Sequence, residues 1–352
     1  MTPYGPNWFA MVMGTGILGI AIDGLPVDVP ARADLALAVW LLAVVLLVVV
    51  AVTAVRARLG DPALLRRHLD DQVMGHFYGA PAMALMTVGT GALLCGQQLL
   101  GGSGALVADA VLWTSGTLLG LWTAVWLPVT AIARHQYGDA DASGGWLMPV
   151  VPPMVSAATG ALLVPYVGQG QPQETLLLAC YACFGLSLLA ALMVFGQLWA
   201  RLVRHGAGPA AAVPTLWIPL GFLGQSVTAA HHLGVVAPGV LPEYGHAFRM
   251  LTLLYGVPVW GFALAWLTIA VALTREAVTD GLPFSLTWWS FTFPLGTVVT
   301  GTSALAASTG LVLFQVVAAF LLLALAGLWT VVAALTSRLL LGAPRTWLAR
   351  AA

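Results

Sequence analysis

The chain alternates between two kinds of apolar stretch. One kind is smooth and consists almost entirely of Leu, Val and Ala, as in residues 35–55 and 310–337. The other kind begins with an aromatic residue and a proline and continues through a run of Gly, Ala, Ser and Thr. Each is about as long as the roughly 20 residues that a helix needs to cross a bilayer. The alternation therefore predicts tandem pairs of membrane helices.

The proline-containing stretch occurs five times. Its prolines are Pro6, Pro81, Pro152, Pro219 and Pro294, which lie 67 to 75 residues apart. A fixed period of this kind indicates repeated structural units. We therefore predict a single transmembrane domain over residues 1–352, built from five repeats near residues 1–60, 61–134, 135–205, 206–276 and 277–352.

The apolar pattern predicts an all-α integral membrane fold with ten transmembrane helices. Nine or eleven are the alternatives, if the short first span only dips into the bilayer or the long fourth span is broken. The composition agrees, because 60% of the residues are hydrophobic and 7% are charged, against about a quarter charged in a soluble domain. The predicted spans are residues 6–22, 35–55, 76–98, 105–133, 146–167, 173–200, 213–235, 247–273, 287–308 and 310–337.

The arginines predict how these spans cross the membrane. The sequence has no lysine, and short cytoplasmic loops are the segments that accumulate basic residues. With ten spans and both termini in the cytoplasm, only Arg32 and Arg249 of the 13 arginines fall outside. We therefore expect a multi-pass protein of the plasma membrane with cytoplasmic N- and C-termini. The arginines in the predicted cytoplasmic segments are Arg56, Arg58, Arg66, Arg67, Arg134, Arg201, Arg204, Arg275, Arg338, Arg345 and Arg350.

The proline-containing spans have a backbone that lipid cannot satisfy. A proline inside a helix removes a hydrogen bond and clashes with the preceding turn. Such a break is tolerated in a membrane only where protein or a water-filled cavity covers it. We therefore expect the five odd-numbered spans to face one another around a pathway, with helix breaks at Pro81, Pro152, Pro219 and Pro294. The alternative is that the small residues only pack helices together and the prolines only kink them.

The side chains of the odd spans indicate what the pathway carries. No Asp, Glu or Arg lies at the middle of a predicted span, although a cation site or proton relay usually contains one. Helix breaks present N-termini with partial positive charge. These features favour a small anion as the substrate, and the zero net charge gives no indication of a nucleic-acid partner. The candidate pore-lining residues are Thr15, Thr90, Thr159, Gln225, Thr297 and Thr300.

Histidines are the remaining candidates for proton coupling, because histidine titrates near neutral pH. His76 is predicted at the cytoplasmic mouth and is the possible proton-linked residue. His231 and His232 are predicted at the outer mouth, where they gate, couple protons or simply sit at the interface. The pattern predicts no metal or cofactor site. A membrane-embedded enzyme is disfavoured because we expect no carboxylate at membrane depth, and a sensor or scaffold because the sequence contains no soluble domain.

Four motifs in the odd spans resemble the tellurite-resistance/dicarboxylate transporter family. They are residues 7–16 (NWFAMVMGTG), 145–160 (GWLMPVVPPMVSAATG), 217–226 (WIPLGFLGQS) and 288–296 (WWSFTFPLG). That family includes bacterial tellurite-resistance proteins, fungal malate permeases, fungal sulfite exporters and the plant slow anion channels. The resemblance covers all ten predicted spans.

The resemblance implies five helical hairpins around a quasi-fivefold axis, with odd helices lining a pore and even helices outside, commonly as a homotrimer in membrane lipid. It implies that a phenylalanine of the ninth helix plugs the pore. We expect Phe293 to be this gate, with Phe291 as the second choice. The expected function is transport of a small anion, foremost a C4-dicarboxylate such as malate. The alternative is efflux of sulfite, a tellurite-related anion or another inorganic anion.

Overall fold

The computed structural model describes residues 5–342, and in that range the chain contains helices and no strand. Arg345 and Arg350, predicted to be cytoplasmic, lie outside the described residues. Short 3-10 helices precede several of the α-helices. The twelve α-helices in the described range are α1 Phe9–Asp23, α2 Arg32–Gly60, α3 Leu64–Asp70, α4 Gly79–Leu94, α5 Gln97–Arg134, α6 Pro152–Gly160, α7 Gln171–His205, α8 Ile218–Val240, α9 Pro242–Leu254, α10 Gly256–Thr279, α11 Phe293–Thr309 and α12 Val312–Gly342.

Five helices that begin close to a proline form the inside of the molecule. Helix α1 contacts α4, α4 contacts α6, α6 contacts α8, α8 contacts α11, and α11 contacts α1, which closes a ring. Gly and Ala permit this close approach, because they keep helix backbones near one another. Gly224 of α8, for example, lies directly against the Thr297 backbone of α11.

The smooth helices lie outside this ring. In their most apolar stretches, 28% of the residues of α2, α5 and α7 and 22% of those of α12 are buried. The corresponding stretches that include α4 and α8 are 78% and 83% buried. An apolar helix that leaves most of its residues exposed is suited to lipid rather than to water. The two kinds of stretch in the sequence therefore correspond to two layers of helices.

Seven helical segments of the described chain are long and apolar enough to cross a membrane. Helices α1, α6 and α11 are shorter, with 15, 9 and 17 residues, although all three belong to predicted spans. The chain is therefore a multi-pass helical membrane protein, and the number of ten crossings stays a prediction. The seven segments are Arg32–Gly60, Gly75–Leu94, Gln97–Arg134, Gln171–His205, Ala210–Val240, Pro242–Thr279 and Val312–Gly342.

The prolines of the inner ring mark helix starts rather than kinks within continuous α-helices. Pro81, Pro152, Pro219 and Pro294 all lie in the first turn of an α-helix. A 3-10 helix lies shortly before each of these helices. Proline is favoured at a helix start, where its missing N–H would have had no intrahelical partner. The expected breaks therefore exist, but they place helix N-termini, and not bent helices, inside the molecule.

The linkers predicted to be cytoplasmic lie together on one side of the described chain. Arg134 pairs with Asp70 at 3.3 Å, and Arg204 pairs with Asp139 at 3.6 Å. The buried Arg201 donates from Nε to the Ala142 carbonyl oxygen at 2.9 Å. These contacts join the linker after α2 to the linker after α5 and the end of α7. Two linkers on the same side of a membrane are separated by an even number of crossings, so these contacts are those expected from the predicted topology.

Two interruptions of helices were not predicted, one inside the eighth span and one just before the fourth. The predicted eighth span, residues 247–273, is divided at Tyr255 between α9 and α10. Helix α5 contains a non-helical residue, Gly101, with φ of 69°. Glycine adopts positive φ without steric cost, so the chain changes direction there before the apolar part of the helix begins.

Candidate functional site

A cavity lies inside the ring, and all five inner helices contribute to it. Its volume is about 170 Å³, which leaves room for several water molecules. The wall is mixed, with apolar residues of α1 and hydroxyl, amide and imidazole groups of the other helices. Among residues 5–342, no Asp, Glu or Arg lines it. The polar residues of the wall are Thr87, Thr90, Thr159, Gln225, Thr228, His231, His232, Thr300 and Ser303.

Phe293 separates this cavity from a second, smaller one. The second cavity has a volume of about 20 Å³ and lies among the N-terminal parts of the inner helices, beside Met83, Met148 and Ile218. Phe293 lines both cavities and is 4% exposed. Its neighbour Phe291 lines neither; it packs edge-on against Trp217 and Trp288, with ring centroids 5.1 and 5.6 Å apart. Of the two, only Phe293 borders both cavities, and its role as the gate stays a prediction.

Three buried polar side chains of the cavity have no hydrogen-bond partner in the described chain. They are Thr90 of α4, Gln225 of α8 and Ser303 of α11, through Oγ1, Oε1 and Oγ respectively. Each side chain belongs to a residue that is at most 8% exposed. A buried polar group without a partner is costly unless water or a ligand satisfies it. Three such groups on three helices therefore form a candidate binding site, in which the Thr90 and Ser303 hydroxyls and Gln225 Nε2 can donate, whereas Gln225 Oε1 can only accept.

Four of the six candidate pore-lining residues lie on the cavity wall, namely Thr90, Thr159, Gln225 and Thr300. The other two do not. Thr15 faces α12, where it accepts a hydrogen bond from Trp329 Nε1 at 3.0 Å. Thr297 donates to Leu220 O at 3.0 Å and to Pro294 O, so it joins α11 to α8. Three hydroxyl residues that were not among the candidates also lie on the wall, namely Thr87, Thr228 and Ser303.

Thr90 and Thr297 offer a matched test of these placements. We expect Thr90→Val to weaken anion binding about fivefold, because the lost hydroxyl lies on the cavity wall and has no hydrogen-bond partner in the described chain. We expect Thr297→Val to leave binding unchanged and to lower stability by about 1 kcal/mol, because its hydroxyl joins two helices. Anion titration and thermal unfolding of both variants in detergent measure the two effects. Equal loss of binding in both variants would contradict these placements.

His76 does not reach the central cavity. Its Nδ1 contacts Gln72 O at 2.7 Å, and its ring stacks on Trp146 with centroids 6.1 Å apart. It lines a small recess, on the side of the linkers that are predicted to be cytoplasmic, together with His135 and Tyr137. A role in proton coupling through His76 stays a prediction, and any such role would act at this recess rather than at the cavity.

Asp109 corrects the expectation that no carboxylate lies at membrane depth. It is in α5, is fully buried, and neither carboxylate oxygen has a hydrogen-bond partner in the described chain. Its Oδ1 lies against Gly89 of α4. The predicted fourth span begins at residue 105, which makes Asp109 appear interfacial, but α5 begins at Gln97. Asp109 is not part of the cavity wall, so the pathway itself contains no carboxylate.

The described residues contain no group of three His, Cys, Asp or Glu side chains that could hold a metal ion. What they do contain is an uncharged, donor-bearing cavity enclosed by helices with a lipid-facing outer layer. This arrangement defines a membrane transport protein rather than a soluble binding protein.

Comparison with known proteins identifies the family. Residues 3–337 match the family model of the voltage-dependent anion channels, SLAC1, so the chain belongs to that family. The same family was suspected from the four motifs. Membership confirms the prediction of an anion transporter or channel.

Relatives cover nearly the whole chain. The sulfite efflux pump SSU1 of Arthroderma otae is 27% identical over 341 residues, which are 95% of this chain and 90% of the relative. The sulfite efflux pump SSU1 of Trichophyton rubrum is 26% identical over the same shares. An uncharacterized transporter of Methanocaldococcus jannaschii, MJ0576, is 27% identical over 297 residues, or 84% of this chain and 81% of the relative. The chain is similar to these proteins along its length.

Proposed function

We propose that the chain carries a small oxyanion of the sulfite type across the plasma membrane through the centre of the inner ring. The observation that carries this proposal is the cavity with unpartnered Thr90, Gln225 and Ser303 and no charged side chain on its wall. Hydroxyl and amide donors can replace the water around an anion. Phe293, at the junction of the two cavities, is the gate in this proposal.

The cavity favours an inorganic monoanion over the C4-dicarboxylate expected from the sequence. Malate carries two carboxylates, and burying each without a cation costs several kcal/mol. The wall has no Arg to offset that cost. A monoanion such as hydrogen sulfite carries one charge instead of two, so only about half of this desolvation cost has to be offset. The sulfite efflux pumps among the relatives support the same choice.

The proposal includes the complete topology of ten spans in five hairpins, with both termini cytoplasmic. The N-terminal parts of the inner helices surround the smaller cavity at Phe293, and the helices run from there to the larger cavity, which supports parallel crossings. A homotrimer with one pore in each protomer follows from the family resemblance and is proposed on that basis alone.

A membrane potential, negative inside, drives each anionic charge outward by about 2.3 kcal/mol per 100 mV. We therefore propose efflux through a passive pathway.

A flux panel in proteoliposomes tests the proposed function. The anions are sulfite, malate, tellurite, nitrate and chloride, each with and without a pH gradient, against liposomes without protein. We expect the largest specific flux for sulfite, and a flux of malate at least tenfold smaller because of its second charge. Malate flux equal to or above sulfite flux would reject the sulfite assignment. Absence of flux for every anion would reject the pathway.

A further inference from the structure

The outer part of the cavity carries a pair of neighbouring histidines whose hydrogen bonds fix where their protons are. His232 Nδ1 lies 2.7 Å from the Ala158 carbonyl oxygen. A carbonyl oxygen can only accept, so Nδ1 of His232 carries the hydrogen. In the neutral ring, Nε2 is then a lone-pair acceptor.

A hydrogen bond with the Ser308 hydroxyl places the hydrogen of neutral His231 on Nδ1 as well. Ser308 Oγ donates its single proton to Ala304 O at 2.8 Å. His231 Nδ1 lies 2.8 Å from that same Oγ, so with the serine proton on Ala304 O the histidine is the donor of this contact. Both neutral rings therefore hold their hydrogen on Nδ1. Both rings line the cavity, and the described chain offers neither Nε2 a hydrogen-bond partner.

Two of the nearby hydroxyls, those of Thr159 and Thr300, add acceptors rather than donors at this level. Thr159 Oγ1 donates to Val155 O at 2.8 Å, and Thr300 Oγ1 donates to Thr297 O at 3.1 Å. Their protons are already used within their own helices. An unprotonated anion beside two imidazole lone pairs would meet repulsion, whereas a proton between the anion and Nε2 converts this repulsion into a hydrogen bond.

We propose that the His231–His232 pair makes this cavity bind an oxyanion together with one proton. The proton lies between an oxygen of the anion and a histidine Nε2, either carried in as the O–H of a hydrogen oxyanion or taken up by the imidazole. No bond other than this hydrogen bond forms or breaks, and the proton comes from water. The proposal rests on the proposed function and specifies the form of its substrate.

No other titratable side chain of the described residues lines the cavity beside the pair. Helices α6 and α11, on either side, contain none. Helix α7 brings Cys180, which packs with Leu233 behind α8. The Tyr255 hydroxyl is turned away toward Ser226 Oγ at 2.8 Å. The remaining titratable or charged groups on nearby elements are Asp23 at the end of α1 and the exposed Glu243, Tyr244, His246 and Arg249 of α9.

Calorimetric titration of the purified protein in detergent tests the proposal, using sodium sulfite at mildly alkaline pH in buffers of different ionisation enthalpy. We expect uptake of about one proton for each sulfite bound, and about tenfold tighter binding for each unit by which pH falls. Sulfite binding without proton uptake would overturn the proposal. Failure of the protein to bind sulfite, malate or nitrate at any pH would instead reject the proposed function.

Variants assign the proton to the histidines. Glutamine supplies an amide donor near the position of Nε2, so we expect the double change His231→Gln and His232→Gln to bind nitrate with affinity independent of pH. The parent should bind nitrate, which carries no proton of its own, more tightly as pH falls. His246→Gln, at an exposed position of α9, is the control and should behave like the parent. Unchanged pH dependence of nitrate binding in the double variant, or in both single variants if the double variant does not fold, would overturn the proposal.

Discussion

Replacing Phe293 by alanine should raise anion flux by about tenfold or more. The ring of Phe293 lies between the two cavities of the inner ring, and alanine removes the side-chain atoms that separate them. A barrier lowered by about 1.4 kcal/mol already corresponds to a tenfold increase in rate. Stopped-flow or radiotracer flux in proteoliposomes, at matched protein density, measures the effect.

Phe291→Ala is the matched control for this prediction. Phe291 is as buried as Phe293, at 3% against 4% exposed, but its contacts are with Trp217 and Trp288 and not with the cavities. We expect this variant to lose about 3 kcal/mol of stability without any gain in flux. A gain in flux from Phe291→Ala, with no gain from Phe293→Ala, would transfer the gate to Phe291.

The proline-headed repeats made the inner ring predictable. Proline and small residues recur at corresponding places in five spans, and lipid does not satisfy backbone at helix ends, so those spans had to be covered by protein. The structure agrees in that α1, α4, α6, α8 and α11 form a closed, buried ring. The extent of each α-helix was less predictable, because a 3-10 helix and an α-helix have similar apolar composition.

The wall of the cavity was harder to predict than the ring, and the reason is physical. A helix buried on every side is apolar on every side, so its sequence has no periodic stripe that indicates which face is which. Thr15 and Thr297 therefore look equivalent to Thr90 and Thr300 in sequence, although only the latter two face the cavity. Their orientation depends on contacts with Trp329 and Leu220, which are distant in the chain.

The close backbone approach between α8 and α11 at Gly224 should be very sensitive to added volume. A Cβ at Gly224 would overlap the carbonyl group of Thr297 and the amide of Val298. Backbone atoms cannot rotate away as a flexible side chain can, so the two helices would have to separate. We expect Gly224→Ala to cost about 3 kcal/mol, which lowers the unfolding midpoint in detergent by about 5–10 °C.

Gly221→Ala, one turn earlier in the same helix, separates packing from helix propensity. A Cβ at Gly221 would make only an ordinary contact with Pro294, at 3.9 Å. Because alanine favours a helix by up to about 1 kcal/mol over glycine, this variant should be as stable as the parent or slightly more stable. Equal unfolding midpoints for the two variants would mean that α8 and α11 do not touch at Gly224. A lower midpoint for Gly224→Ala alone would show that α8 and α11 can pack closely only without a side chain at this position. Gln225 and Thr300 face the cavity from these same two helices, so this packing also fixes part of the cavity wall.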